Sequence, residues 1–272
     1  MARNIDFGTV ADLYDVYVHW NTDIPFFLEA CAKVDDEVLE LMCGTGRLSI
    51  PLLERGIKLC CVDYSSNMLA VLQCKLQQRN LAVDLHEADV RELKLDRTFP
   101  LILLPFHSIA EILTPSDRHQ ALIRIRNHLA LDGRFIVTLH NPAFQIPRLD
   151  GERRLICDRP IPDSSAHLRV WSTANYDADL HQGIALQEYE ICSSDSQLLE
   201  QRELSLRFAI IDRPTFQNEL ESAGFRARNL WGDYSRNPFD PERSPYMIWE
   251  LECDRNVMCI PEVSRSPQSA MD

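Results

Sequence analysis

The run Glu40-Leu41-Met42-Cys43-Gly44-Thr45-Gly46-Arg47 closes an apolar segment on a Gly-x-Gly turn. Such a turn lets the backbone approach a ligand with no side chain in the way, and it opens a helix whose first N–H groups lack partners. Asp63 stands seventeen residues beyond Gly46, at the end of the next apolar run. A carboxylate there can take both hydroxyls of a ribose. Asp89, in Glu87-Ala88-Asp89-Val90, follows a third run. Three ligand-facing positions thus fall at three successive strand ends, where open α/β sheets bind their ligands.

The elements that must carry these residues are legible as alternation. Strands are expected at 38–42, 57–62, 82–86, 101–104 and 134–139. Between them lie a helical segment through 52–55, a helix at 66–79 opened by Ser65 or Ser66, and a helix at 117–129 stopped by a turn at Leu131-Asp132-Gly133. Repeated strand–helix units predict an α/β fold with a parallel sheet. From about 151 to 211 the pattern becomes period-2, with strands at 168–176, 185–192 and 203–210 separated by polar turns. Antiparallel strands with one wet face are expected there. A helix at 213–223, ended by Gly224, and strands at 225–231 and 246–252 complete the fold. The domain reading is a helical cap at 1–35, an α/β domain at 36–140 and 213–253, an inserted antiparallel β lid at 141–212, and a disordered tail at 254–272.

Composition narrows the function classes. The 272 residues carry 28 Lys+Arg against 41 Asp+Glu, a net charge of −13. That balance disfavours nucleic acid and anionic lipid as partners. No apolar run approaches the roughly 18–20 residues that span a bilayer, and the N-terminus lacks a signal-peptide pattern. A soluble cytoplasmic protein is expected. Nine scattered cysteines without a C-x-x-C pair, and histidines without metal-ligand spacing, predict neither a disulfide framework nor a catalytic metal.

With these motifs in view, residues 36–140 resemble the class I S-adenosylmethionine-dependent methyltransferases. The resemblance implies a seven-stranded Rossmann-like sheet flanked by helices. It also implies that Glu40, Cys43, Gly44 and Gly46 lie under the methionine part of S-adenosylmethionine, that Asp63 holds the ribose and that Asp89 contacts the adenine. Tyr64, Met68 and Val90 match positions flanking the adenosine. The segment Phe99–Ser108 is similar to the family's fourth motif, which faces the methyl group, and places Phe106 beside the cofactor. Tyr14 and Tyr17 match an N-terminal helix that closes over the cofactor, or else serve as core aromatics. Two departures stand out: Met42 where a small residue is usual, and Pro100 where an Asp is frequent.

Methyl transfer needs an acceptor lone pair held in line, and a base only if the acceptor arrives protonated. His107 and His140, after the fourth and fifth strands, are the candidate catalytic residues. Each takes a proton near neutral pH or orients the acceptor. On the lid, Arg169, Trp171 and Thr173 share one parity and are expected to face the cleft. Arg169 and Trp171, with Tyr17, Tyr176, Arg207 and Tyr234, make up the candidate acceptor site. The expected activity is methyl transfer to N, O or C of a small-molecule acceptor, with the lid sheet a candidate pairing surface for a homodimer. Two alternatives are a non-enzymatic module that binds S-adenosylmethionine and an NAD-dependent oxidoreductase. The latter fails on the third glycine, since the motif reads Gly44-Thr45-Gly46-Arg47-Leu48-Ser49. Asn141-Pro142 is similar to the N-P-P-Y motif of amino-nitrogen methyltransferases but follows the fifth strand rather than the fourth, so that reading is rejected.

Overall fold

The computed structural model describes residues 5–255. After a 3-10 turn at Phe7–Val10 come two short helices, α1 (Tyr14–Tyr17) and α2 (Ile24–Cys31). The alternation then runs β1 (Val38–Leu41), α3 (Ser49–Leu53), β2 (Leu59–Asp63), α4 (Ser66–Arg79), β3 (Asp84–Glu87), β4 (Phe99–Leu104), α5 (Pro115–Asn127) and β5 (Leu129–His140). A short helix, α6 (Pro142–Gln145), leads into β6 (Asp150–Pro160), β7 (His167–Asp177), β8 (Gln182–Cys192) and β9 (Leu198–Ala209). The chain returns through α7 (Arg213–Ser222), β10 (Phe225–Trp231) and β11 (Tyr246–Cys253). No helix among the described residues is long and apolar enough to cross a membrane.

The main sheet has the order β3-β2-β1-β4-β5-β11-β10, parallel from β3 to β5 and antiparallel in its last two strands. The expected α/β architecture is therefore present. Strands β1 and β2 are buried along their whole length, as apolar runs covered on both faces should be. Alternate residues feed two cores. Leu39, Leu41, Ile102 and Leu104 face α5 and α7, whereas Val38, Cys61, Leu101 and Leu103 face α2, α3 and α4. The four inserted strands form a separate antiparallel sheet, β6-β7-β8-β9.

Three local expectations are corrected. Strand β1 ends at Leu41, because Met42 takes a left-handed φ of 54° and turns out of the ladder. Residues 131–133 are not a free turn after a helix. They belong to β5, where the register jumps between Phe99↔Leu129 and Leu101↔Arg134 and β5 bulges outward. Gly133 fits that bulge because a side chain there would lie about 3 Å from the Ala130 and Phe99 carbonyls. The inserted sheet has a fourth strand, β6. It carries almost no apolar periodicity because ten of its eleven residues are partly or fully exposed. The expected disordered tail at 254–272 lies outside the described residues beyond Arg255.

Ile5, Val10 and Leu13 pack with Leu168, Val170, Tyr189 and Leu204 of the inserted sheet. That contact settles which face of the sheet looks inward.

Candidate active site

The Gly-x-Gly turn connects β1 to α3 with Gly44 at φ 56° and Gly46 at φ 80°. A Cβ on Gly46 would come within 2.3 Å of the Leu72 side chain, so the turn presses against α4 and admits no side chain there. Beneath it the buried Glu40 accepts a 2.7 Å bond from Ser49 Oγ and so pins the start of α3. Burial pushes the Glu40 carboxyl up to about 7, against the opposing effect of the Ser49 bond. Cys43 is buried against Cys61, whose thiol contact together with burial raises the Cys43 thiol well above its ordinary range. It is a packing residue and no nucleophile.

Asp63, at the end of β2, is 7% exposed. Its Oδ2 accepts from the Gly44 N–H at 2.8 Å, and its Oδ1 from the Ser65 N–H at 2.9 Å. Burial raises this carboxyl, while the backbone donors hold it down. Above it lies a cavity of about 180 Å³, bordered by Met42, Asp63, Tyr64, Asp89, Val90 and Glu111. A smaller one of about 40 Å³ adjoins it, sharing Met42, Asp63, Tyr64 and Glu111 and adding Tyr14, Gly44 and Met68. Asp89 is gripped by Arg91, with Nε–Oδ1 at 2.9 Å and Nη2–Oδ2 at 2.5 Å. Burial alone would raise the Asp89 carboxyl, but the Arg91 bonds outweigh it and hold the group low.

The sequence expectations therefore divide. Tyr14, Gly44, Asp63, Tyr64, Met68, Asp89 and Val90 border the two cavities. Glu40, Cys43 and Gly46 do not; they shape the turn from below. Phe106 borders neither cavity, because its ring lies under the Arg47 guanidinium at 4.4 Å. Glu111 is an addition that no sequence motif marks. It ends a 3-10 turn, Ser108–Glu111, and borders both cavities, as Asp63 does. Burial and the Asp63 charge push its carboxyl up to about 8.

A second constellation stands where β4 and β5 end. Phe106 and His107 are consecutive left-handed residues, at φ 56° and 63°. This strained conformation is held by a 3.0 Å bond from the His107 N–H to Thr138 Oγ1. The turn lays the His107 ring on that of His140, with centroids 3.7 Å apart, and 5.1 Å from Tyr246. His107 Nδ1 is buried without a hydrogen-bond partner among the described residues. Burial first, and then His140 and Arg47, hold His107 well below its ordinary pKa, while burial and Arg148 bring His140 to about 4. Both rings are neutral at pH 7. Tyr234 packs against Tyr246 and Phe26 in the same wall.

The N-terminal segment is bolted over this region. Arg47 makes a bidentate pair with the fully buried Asp23, at 2.7 and 2.6 Å, and bonds the Trp20 carbonyl at 2.9 Å. Tyr64 Oη donates to the Ile5 carbonyl at 2.5 Å. On the lid side Gln187 Nε2 donates to Tyr17 Oη at 3.0 Å, and Tyr17 stacks edge-on against Tyr189.

This geometry corrects the reading of the lid. The inward parity is that of Leu168, Val170, Gln187, Tyr189 and Leu204. Arg169, Trp171 and Thr173 do share a face, but it is the opposite one. There Trp171 bonds Glu190 at 3.1 Å and lies under Arg153, and Arg169 pairs with Asp158. Arg207 lies on that same outer parity, paired across the ladder with Ile184. Tyr176 is turned to His181 at the β7–β8 hairpin. The correct parity has a visible signal in the sequence, since the more apolar alternate set is the one that packs. Among the described residues, Cys60, Asp84 and His86 bring three potential metal ligands together at the far edge of the sheet, where Arg97 pairs with Asp84.

Residues 38–133 match the family model described as a methyltransferase domain. Over these residues the chain is similar to methyltransferase domains. Among its relatives, the cypemycin N-terminal methyltransferase of a Streptomyces species is 30% identical over 119 residues, 44% of this chain and 47% of that protein. The dTDP-3-amino-3,6-dideoxy-α-D-glucopyranose N,N-dimethyltransferase of Streptomyces fradiae is 26% identical over 138 residues, 48% of this chain and 52% of that one. The chain spans about half the length of the first curated relatives it matches. In fold it is similar to an S-adenosylmethionine-dependent methyltransferase of Clostridium acetobutylicum ATCC 824, with a TM-score of 0.73 at 19% identity over 91% of this chain and 98% of that one. The residues present fit the family's cofactor. The glycine turn leaves a side-chain-free wall on the smaller cavity, and Asp63 is already oriented by two backbone donors.

Proposed function

We propose that this protein transfers a methyl group from S-adenosylmethionine to an amine nitrogen of a small molecule. The observation that carries the reading is the neutral pair His107–His140, in tilted ring contact at the ends of β4 and β5, with a buried ring nitrogen of His107 free to bond. The cofactor supplies an activated methyl on a sulfonium; the chain supplies position. Gly44 and Asp63 would hold the cofactor's sugar and amino-acid part, and Asp89, with Val90, its base. His107, seated on Thr138 and flanked by Tyr246, would accept an N–H of the acceptor and aim its lone pair. A histidine this far below its ordinary pKa is a poor store for a proton, so the pair orients a neutral amine and does not deprotonate an ammonium ion. The inward face of the lid closes the cleft with Tyr17, Gln187 and Tyr189, and its burial favours a compact acceptor.

The names of the two relatives support nitrogen as the acceptor atom: one is named for N-terminal methylation and the other for N,N-dimethylation of an amino sugar nucleotide. The test is an acceptor screen with S-adenosylmethionine, scored by the mass gain of one methyl group. The panel sets primary and secondary amines against matched phenols, thiols and carboxylates. Product confined to amines supports the reading; product confined to phenols or carboxylates overturns it.

A further inference from the structure

We propose that Cys60, Asp84 and His86 bind one zinc ion, which ties the edge strand β3 to β2. The inference stands on these residues alone and is independent of the cofactor reading. In the parallel register Cys60 lies opposite Asp84. Residues two apart on a strand share a face, so His86 stands on the same side as Asp84. The Cys60 Sγ, an Asp84 carboxylate oxygen and a His86 ring nitrogen all lie within 4.8 Å of one another. Around a tetrahedral zinc at about 2.0–2.3 Å, such atoms are spaced about 3.3–3.8 Å apart, so side-chain shifts of about 1 Å close the set on an ion. Cys60 precedes Asp63 by three residues on β2, about 10 Å along the strand, which sets this site apart from the cofactor cavities.

A cation is already seated in the cluster. The Arg97 guanidinium pairs with Asp84, lies 2.9 Å from Glu37 Oε2 and bonds the Cys60 thiol. Its side chain is 42% exposed and can swing out to solvent, which frees these groups for a metal. His86 Nε2 is shielded from solvent and lies 3.1 Å from Asp84 Oδ2, with no aligned hydrogen bond among the described residues. That nitrogen has no other bond to lose. Thiolate and imidazole donors select zinc over magnesium or calcium. Three protein donors leave a fourth position, for water or for the Glu37 carboxylate that Arg97 releases. Burial pushes the Cys60 thiol up to about 12, so the sulfur keeps its proton until the ion arrives. The S–H bond then breaks as the sulfur–metal bond forms, and the proton leaves to solvent. Strand β3 has four residues, all partly or fully exposed, and is the last strand of the sheet. The ion fastens it by side chains where the ladder holds it on one side alone.

The experiment is cobalt(II) titration of the full chain, stripped of metal by a chelator and kept reduced, followed by absorption with zinc chloride as competitor. The expected result is one cobalt per chain, a sulfur-to-cobalt charge-transfer band, and loss of that band on adding one equivalent of zinc. Saturating zinc should raise Tm by more than about 4 °C. Cys60→Ser should abolish the band. His86→Gln, at a half-exposed position, should weaken binding by more than about tenfold. Arg97→Gln, which removes the competing cation, should tighten it about two- to fivefold. No charge-transfer band in excess cobalt, a band that survives Cys60→Ser, or an affinity unchanged in His86→Gln overturns the proposal. If Cys60→Ser fails to fold, the wild-type titration and His86→Gln decide between these outcomes.

Discussion

Thr45 Oγ1 donates to Asp15 Oδ1 at 2.7 Å, joining the centre of the glycine turn to the first helix of the N-terminal segment. Lys75 of α4 holds the other oxygen of Asp15 at 2.7 Å. The same segment is packed into the inserted sheet through Ile5, Val10 and Leu13. The glycine turn, the N-terminal segment and the inserted sheet are therefore joined in one series of contacts.

Asp15→Ala should release this link at small cost to the fold, because the side chain is 40% exposed. Exposed charge pairs contribute about 0–1 kcal/mol. The expected outcome is S-adenosylmethionine dissociation faster by roughly three- to tenfold in stopped-flow fluorescence, with a Tm change below about 4 °C. An unchanged dissociation rate would show that the link does not gate the cavity.

Asp63→Ala removes the acceptor of the Gly44 and Ser65 N–H groups as well as the carboxylate assigned to the ribose. Losing a charged hydrogen-bond partner costs about 1–3 kcal/mol. Cofactor affinity should fall by roughly 5- to 150-fold in calorimetry, and Asp63→Asn, which keeps one acceptor oxygen, should fall by less. Unaltered affinity in the alanine variant would break the ribose assignment.

What can be read in the sequence is what the backbone period and the caps determine. The helix at 66–79 lies where the Ser65 cap and the residue types place it, since Ser65 caps Met68 N and Asn80 ends the helix in a left-handed conformation. The strand at 225–231, after Gly224, is likewise as expected. Asp63 and Asp89 are legible because each closes a short run bordering the sheet. Glu111 is not: nothing in its neighbourhood marks it, and only the 3-10 turn Ser108–Glu111 brings it to the cavities that Asp63 borders. The face of β7 is misread from sequence because parity is a two-fold choice, and Trp171 and Arg169 look more functional than Leu168 and Val170. Burial against Ile5 and Leu13, residues far off in the chain, decides it.

Glu40 makes stability depend on pH. Its folded-state pKa, raised by burial to about 7, lies above the ordinary 4.5, so the folded chain binds the proton more tightly than the unfolded one. The sign follows: the contribution is fully present below pH 4.5 and is lost as pH rises through about 7. The shift corresponds to something on the order of 2–4 kcal/mol. Glu40→Gln keeps an acceptor for Ser49 Oγ without the ionisation. Chemical denaturation should show the wild-type chain losing stability relative to Glu40→Gln between about pH 5 and 8. A pH-independent difference would mean that Glu40 titrates alike in both states.

His107→Ala separates positioning from packing. The ring touches His140, Tyr246 and Phe106, and its backbone N–H is fixed by Thr138 whatever the side chain, so the turn should persist in the variant. If the ring aims the acceptor, kcat falls by about 10- to 100-fold, the equivalent of one hydrogen bond of about 1.5–3 kcal/mol to a reacting group. Cofactor affinity should stay within about twofold, because His107 borders neither cofactor cavity. Because the histidines are already neutral, the acid limb of the pH–rate profile should belong to the acceptor's own ammonium ion, and should therefore sit at the same pH in His107→Ala and in the wild type. His107→Gln, which restores an acceptor on a side chain of similar reach, should recover part of kcat without shifting that limb. An alanine variant with normal kcat and weakened cofactor binding would make His107 a packing residue. A limb that moves with the substitution would make it the base.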